Sequence, residues 1–398
     1  MFKSLELKKS ALEKIPGDRG ELLKADVDGP LKSLPPGEWV LLRDPVQKRV
    51  FLGYANSLVE DHWPAVRVLC RLRSPPESDT AERYVRDRLV AALARRGRFD
   101  GYDEGARLVF GEADGLPGLQ VDAYRNAILV QVNTAGMDRW RELLATELAT
   151  ATGRPVYFLD HPAQRAREML PHYRAESDIP DLQVRENGFE YLVPRRNLQK
   201  IGWYYDHREN RRKLEDALTR WRGARDSGVD LFCYGGSWGM HLLRAGVGRV
   251  EFVDQAPMTE MVEGHLRANG FEGQGEFHRA DVFDWLDARE GKQWDVVVSD
   301  PPAFAKSPRE KAAAVEGYRK LHRKALAAVR PGGLFAAASC THYLDLAEFV
   351  HTIEWAAQQD HLKIQILDLG LQGWDHPVAT LADRGNYIKY ALCAVEKA

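Results

Sequence analysis

Four aspartates and a thiol in the carboxyl-terminal half of this 398-residue chain stand where they could act together: Asp230, Asp254, Asp281, Asp300 and Cys340. Each lies within or just after a short stretch that reads as a strand. A carboxylate can accept both hydroxyls of a ribose or the amino group of an adenine, and a cysteine thiolate is a strong nucleophile. Singly, each residue is ordinary. An aspartate at a strand end often caps the next helix, and a cysteine is most often a small, inert core residue. Their order suggests one site, with Asp254 twenty-four residues after Asp230 and Asp300 followed by Pro301 and Pro302.

Alternating strands and helices must position these residues. "VDLFCY" (229–234) reads as a strand, and Tyr234, Gly235, Gly236 and Ser237 form a loop opening the helix "WGMHLLRA". "RVEFVD" (249–254) leads to a helix with Pro257 in its first turn and Gly270 at its end. "GEFHRAD" ends at Asp281, "WDVVVSD" (294–300) at Asp300 and "GLFAAASC" at Cys340. This alternation predicts a parallel sheet covered on both faces, with ligands bound outside the carboxyl ends of its strands. "LKIQILDLG" and "NYIKYALCAV" are expected to close the sheet edge. The fold class is α/β: a Rossmann-like domain over 191–398, preceded by a mixed α+β domain over 74–190 and a small β-rich domain over 1–73.

The glycine loop limits the ligand. A phosphate-cradling GxxxxGK[ST] is absent, and residues 235–240 read Gly-Gly-Ser-Trp-Gly-Met, which is not the dinucleotide fingerprint. A loop that need not hold pyrophosphate, with acids for a ribose and an adenine amino group, suits S-adenosylmethionine. The four cysteines form no CxxC pair and the twelve histidines no metal-ligand spacing, so no metal site or disulfide framework is expected, and the compartment reads as reducing cytoplasm. No apolar run approaches the ~20 residues of a membrane span, and the charged N-terminus does not suit a secretory signal.

A net charge of −2 hides an uneven distribution. Ten arginines and no lysine fall between Arg67 and Arg107. Residues 194–213 hold seven Lys or Arg against two acids, interleaved with Trp203, Tyr204 and Tyr205. Such a mixture can follow a nucleic-acid backbone and stack bases, or it can be a solvated face beside core aromatics.

"DLFCYGGSWG", "VDQAP", "RADVFDWL" and "DVVVSDPPAFAKS" resemble the motifs of class I S-adenosylmethionine-dependent methyltransferases. With "RLVFGEADGLPGLQVDAY", "QKIGWYYDHRENR", "SCTHY" and "WDHPVATLADRGNYIKY", the chain more narrowly resembles the bacterial 23S rRNA 5-methylcytosine methyltransferases that carry an N-terminal PUA domain. It departs from that pattern at Ser237, Ile201 and His207, and in "EKIPGDRGEL" of the N-terminal module. The resemblance implies a PUA-like domain over 1–73. It also implies cofactor contacts at Asp230, Tyr234, Gly235, Gly236, Ser237, Asp254, Gln255, Asp281, Val282, Asp300 and Arg208. Its expected partner is RNA, as 23S rRNA or a large-subunit precursor, with no membrane association, and it leaves room for a homodimer.

The same resemblance makes Cys340 the nucleophile and Asp300 its catalytic partner. Cytosine C5 accepts a methyl group poorly until a thiolate adds at C6 and makes C5 enamine-like, while Asp300 could hold the N3/N4 edge of the base. Two alternatives compete. Asp-Pro-Pro also serves transfer to a guanine or adenine nitrogen, though related guanine methyltransferases carry Asn where this chain has Cys340. A non-catalytic, RNA-binding assembly protein would have no need of the acids and the thiol.

Overall fold

The computed structural model describes residues 2–102, 104–171, 178–198, 202–305, 307–378 and 385–397. Gln199 to Ile201, Lys306 and residues 379–384, each part of a motif quoted above, lie outside them. The chain divides into two compact units, Met1–Leu182 with Leu198–Gly202 and Gln183–Asn197 with Trp203–Ala398.

The first unit holds two sheets. Six strands between Lys3 and Leu72 form one, with Glu38–Asp44 and Arg49–Ala55 as its central hairpin. Val156–Phe158, Ala127–Val132, Leu119–Tyr124 and Gly105–Phe110 form the other in that order, within the span read as a mixed α+β domain. The helix Thr80–Arg96 buries Ala81, Val85, Leu89 and Ala92 in one apolar core with Trp39, Leu52 and Tyr54 of the first sheet and Val109, Val121 and Val130 of the second.

The second unit is the expected α/β layer. Its strands are β1 (Ser227–Leu231), β2 (Arg249–Asp254), β3 (Gly275–Arg279), β4 (Trp294–Ser299), β5 (Val329–Ser339), β6 (Leu362–Gly370) and β7 (Lys389–Lys397). They lie in the order β3-β2-β1-β4-β5-β7-β6. The first five are parallel, and β7 runs antiparallel to both of its neighbours. The chain reverses its direction of sheet growth between β1 and β4, so the crevice for a ligand lies at their carboxyl ends. Helices α1 (Arg208–Arg220), α2 (Ser237–Arg244), α3 (Thr259–Ala268), α4 (Val282–Asp287), α5 (Lys311–Ala327) and α6 (Leu346–Gln359) alternate with the strands. Trp285, Trp294, Tyr318, Phe335, Phe349 and Ile353 form the core beneath α4, α5 and α6.

The last two strands close one edge of the sheet, as expected, with β7 against β5 and β6 outermost; seven of the nine β7 residues are buried while β6 is largely exposed. One sequence expectation needs correction. Pro257 precedes α3, which starts at Thr259, so it ends the loop after β2 and is not in the helical turn.

Candidate active site

β1 ends at Leu231, three residues before the end of the run "VDLFCY". Phe232 and Tyr234 have φ of 62° and 47°, the left-handed region that side chains other than glycine avoid. Such residues cost on the order of 1–3 kcal/mol each and persist only where their surroundings hold them. Here the Tyr234 N–H donates to Asp254 Oδ2 at 2.9 Å, and the Gly236 N–H to the Cys233 carbonyl at 2.7 Å. The glycines serve packing directly. A Cβ on Gly239 would lie 2.1 Å from the Phe252 ring, and one on Gly235 2.7 Å from the Met261 methyl. Ser237 opens α2 behind Gly236, which has φ of 76°.

Around this loop the structure brings together most of the predicted acids. Asp230 is fully buried, and its Oδ2 accepts the Gly239 N–H at 2.8 Å. Its Oδ1 is buried without a hydrogen-bond partner. Burial, and then the carboxylates of Asp300 and Asp254, push its pKa up to about 8. Asp254 accepts the N–H groups of Tyr234 and Ala256, one at each oxygen, which leaves a lone pair on each for the two hydroxyls of a ribose. Asp300 Oδ2 accepts the indole N–H of Trp238 at 2.9 Å, and its Oδ1 lies 3.6 Å from His207 Nε2.

Asp281 is exposed and caps α4, accepting the Phe283 and Asp284 N–H groups at Oδ1. Val282 beside it is buried, and Gln255 is exposed after β2. An orphaned buried carboxylate oxygen, pressed by two further carboxylates, is a place for a cation. S-adenosylmethionine, with a sulfonium, an ammonium and a ribose diol, fits this donor set.

Cys340 follows β5 immediately, and its Sγ faces the Pro301 carbonyl oxygen at 3.9 Å, which puts thiol and Asp-Pro-Pro segment side by side. Burial, then Asp300 and Asp206, push the thiol up to about 12 against the opposing field of Lys389. Without a ligand, then, the sulfur stays protonated at neutral pH. Cys233 and Cys393 are buried core residues. Sequence reasoning missed Trp238, His207, Asp206 and Lys389. A tryptophan in the first turn of the helix that follows the glycine loop was a usable signal for the first, but nothing local marked the others.

The described residues of the basic and aromatic stretch 194–213 divide between buried and exposed positions. Trp203, Tyr205, Arg208 and Arg211 are buried, and only Tyr204, 46% exposed, stands out among the three aromatics. Arg211 pairs with Glu186 at 2.7 Å. Arg208, implied as a cofactor contact, lies over the Tyr205 and Trp374 rings, with Asp375 at 3.7 Å and Glu186 at 3.9 Å. Arg196 pairs with Glu260 and Arg212 with Glu209 on the surface.

The first unit offers a stronger basic feature. A cleft of about 700 Å³ is lined by Arg43, Lys48, Arg49, Arg71 and Arg73, with no acidic residue in its lining. Arg49 pairs with Asp44, but among the described residues no carboxylate pairs with the other four.

Comparison with known proteins gives the following. The chain is 33% identical over 306 residues to the ribosomal RNA large subunit methyltransferase I of Aeromonas salmonicida, covering 75% of each chain. A solved structure described as a SAM-dependent methyltransferase from Streptococcus mutans matches 99% of this chain and 100% of its own, at a TM-score of 0.74 and 18% identity. A second, described as a methyltransferase complexed with SAH, matches over the same shares at a TM-score of 0.77 and 18% identity. These two share the fold. No family model matches the chain.

Proposed function

We propose, on the premise that this chain belongs to the ribosomal RNA large subunit methyltransferase I family, that it methylates C5 of a cytosine in 23S rRNA. The coarser activity, S-adenosylmethionine-dependent methylation of RNA, follows from the family and the fold. The finer reading rests on one observation: a thiol at the end of β5, against the Pro301 carbonyl and in the field of Asp300.

S-adenosylmethionine supplies an electrophilic methyl group. Asp254 would accept the ribose hydroxyls, and Asp230 Oδ1 would take a positively charged donor. Cys340 loses its proton, and its sulfur pair forms a bond to C6 while the C5=C6 pair becomes available at C5. Asp300 holds the N3/N4 edge of the base and favours its protonated form. After C5 takes the methyl group, its proton leaves to water, the pair from that C–H bond restores C5=C6, and the C6–S pair returns to Cys340. This is nucleophilic catalysis that divides one difficult substitution into easier steps. Asp300 and Asp206 supply the carboxylate field that keeps Cys340 protonated, and a cationic cofactor held beside Asp300 would offset part of it.

The reading is tested by bisulfite sequencing of 23S rRNA from a strain lacking the gene, against its parent. One cytosine should lose protection in the deletion strain and regain it when the gene is restored. An unchanged map rejects a 5-methylcytosine product.

RNA phosphates are the natural counter-charge for the basic cleft of the first unit. Arg43→Ala, Arg71→Ala and Arg73→Ala combined should weaken rRNA binding regardless of sequence. They should also flatten log Kd against log salt by about 0.7–0.9 for each phosphate no longer neutralised. Parallel salt plots for variant and parent would remove the cleft from the RNA path.

A further inference from the structure

Among the described residues, every buried arginine has a carboxylate partner. Arg67 pairs with Glu168, Arg96 with Asp114, Arg107 with Asp122, Arg165 with Asp138, Arg208 with Asp375 and Arg211 with Glu186. Lys389 departs from this pattern. It is 2% exposed at the start of β7, and no carboxylate among the described residues lies within 4 Å of its ammonium.

Among the described residues, Nζ donates to two backbone carbonyls, those of Thr341 and, at 3.0 Å, Tyr387. The Lys389 backbone pairs with Ser339 across β5 and β7. Lys389 therefore meets the chain on both sides of Cys340, by main-chain pairing before it and by side chain after it. Removing an ion from water without a counter-charge costs several kcal/mol, so a cation in this position calls for an anion that the protein can generate.

We propose that Lys389 is a positioning residue whose ammonium is the counter-charge of the Cys340 thiolate. The thiol S–H bond breaks and sulfur keeps the pair; the proton passes to a neutral Nζ or, when Nζ is already charged, to water. Both routes end in an ammonium–thiolate pair. When the pair on sulfur returns after elimination, it returns beside the same charge.

The surrounding groups agree with this division of roles. Burial lowers Lys389 to about 8, opposed by Cys340, Asp345 and Glu348. Around Cys340, Asp300 and Asp206 oppose ionisation and Lys389 favours it, and the phenols of Tyr204 and Tyr318 also lie within its field.

The inference rests on Cys340 being the nucleophile of the proposed reaction, but its test needs neither RNA nor methyl transfer. In a Cys70→Ser background, carbamidomethylation of Cys340 by iodoacetamide is followed by mass spectrometry across pH. Lys389→Met should move the Cys340 profile up by about one pH unit or more, which slows labelling roughly tenfold at a fixed pH below the transition. Lys389→Arg should restore most of the parental profile. A folded Lys389→Met protein with the parental profile overturns the proposal.

If Lys389→Met does not fold, the reciprocal measurement decides. Cys340→Ser, which cannot ionise in this range, should let Lys389 titrate lower and acetylate several-fold faster at pH 8 with acetic anhydride. Equal acetylation rates overturn the proposal. Either negative result leaves the cytosine reading standing, because that reading fails by a different sign, methylation without Cys340.

Discussion

Cys340→Ala is expected to abolish methyl transfer while S-adenosylmethionine affinity stays within a few fold. Removing a covalent nucleophile takes away a whole reaction path, and the loss should be roughly 10⁴-fold or more. The cofactor contacts expected at Asp230, Asp254 and the glycine loop do not involve this thiol. RNA carrying 5-fluorocytosine at the target position separates the steps. After methyl transfer C5 holds fluorine and methyl and no proton, so Cys340 cannot be expelled and the parent protein should remain on the RNA through heat and denaturant. Cys340→Ala should form no such complex. Cys233→Ala and Cys393→Ala, both in the core, should form it and lose only stability. If Cys340→Ala still methylates, the cytosine mechanism is wrong, and transfer to a nitrogen steered by Asp300 takes its place.

Asp230→Asn is expected to make the ligand-free protein more stable and a poorer binder. Burial first, then Asp300 and Asp254, raise the Asp230 pKa from 3.8 to about 8. For an acid raised on folding, the folded state binds more protons than the unfolded one between those two values, so stability falls as pH rises through that window. The slope is about 1.4 kcal/mol per pH unit for one proton. Asparagine keeps an acceptor for the Gly239 N–H and removes the titrating charge.

The variant and the parent should therefore melt alike near pH 4. The gap in favour of Asp230→Asn should widen up to about pH 8 and then level off. Cofactor affinity should fall roughly tenfold to a hundredfold, the scale of one charge-assisted hydrogen bond. A melting difference that does not change with pH would mean that Asp230 carries no raised pKa. Such a trade of stability for a site is expected where a buried charge awaits a ligand.

The α/β alternation, the positions of Asp254, Asp281, Asp300 and Cys340 at strand ends, and the family to which the motifs point are all legible in the linear sequence. For Asp254, Asp300 and Cys340 those features are local: an apolar run and the polar residue that ends it mark a buried strand and its carboxyl terminus. At Asp281 the structure shows a helix cap, where the sequence had suggested a cofactor contact.

Which groups face these residues became visible with the tertiary structure alone. Trp238 reaches Asp300 across 62 positions of sequence, and Lys389 reaches Thr341 across 48. Folding also turns Arg208, Arg211, Trp203 and Tyr205 inward. A cation beside an aromatic ring looks the same in sequence whether it awaits a phosphate or is buried against Glu186. The place of β7 was equally out of reach, since an apolar strand at the end of a chain can close an edge or insert beside β5. Exposure of one neighbour and burial of the other separates the two, and both are properties of the assembled sheet. The unpaired charge of Lys389 is of the same kind, because a missing partner becomes visible only when every neighbour is in place.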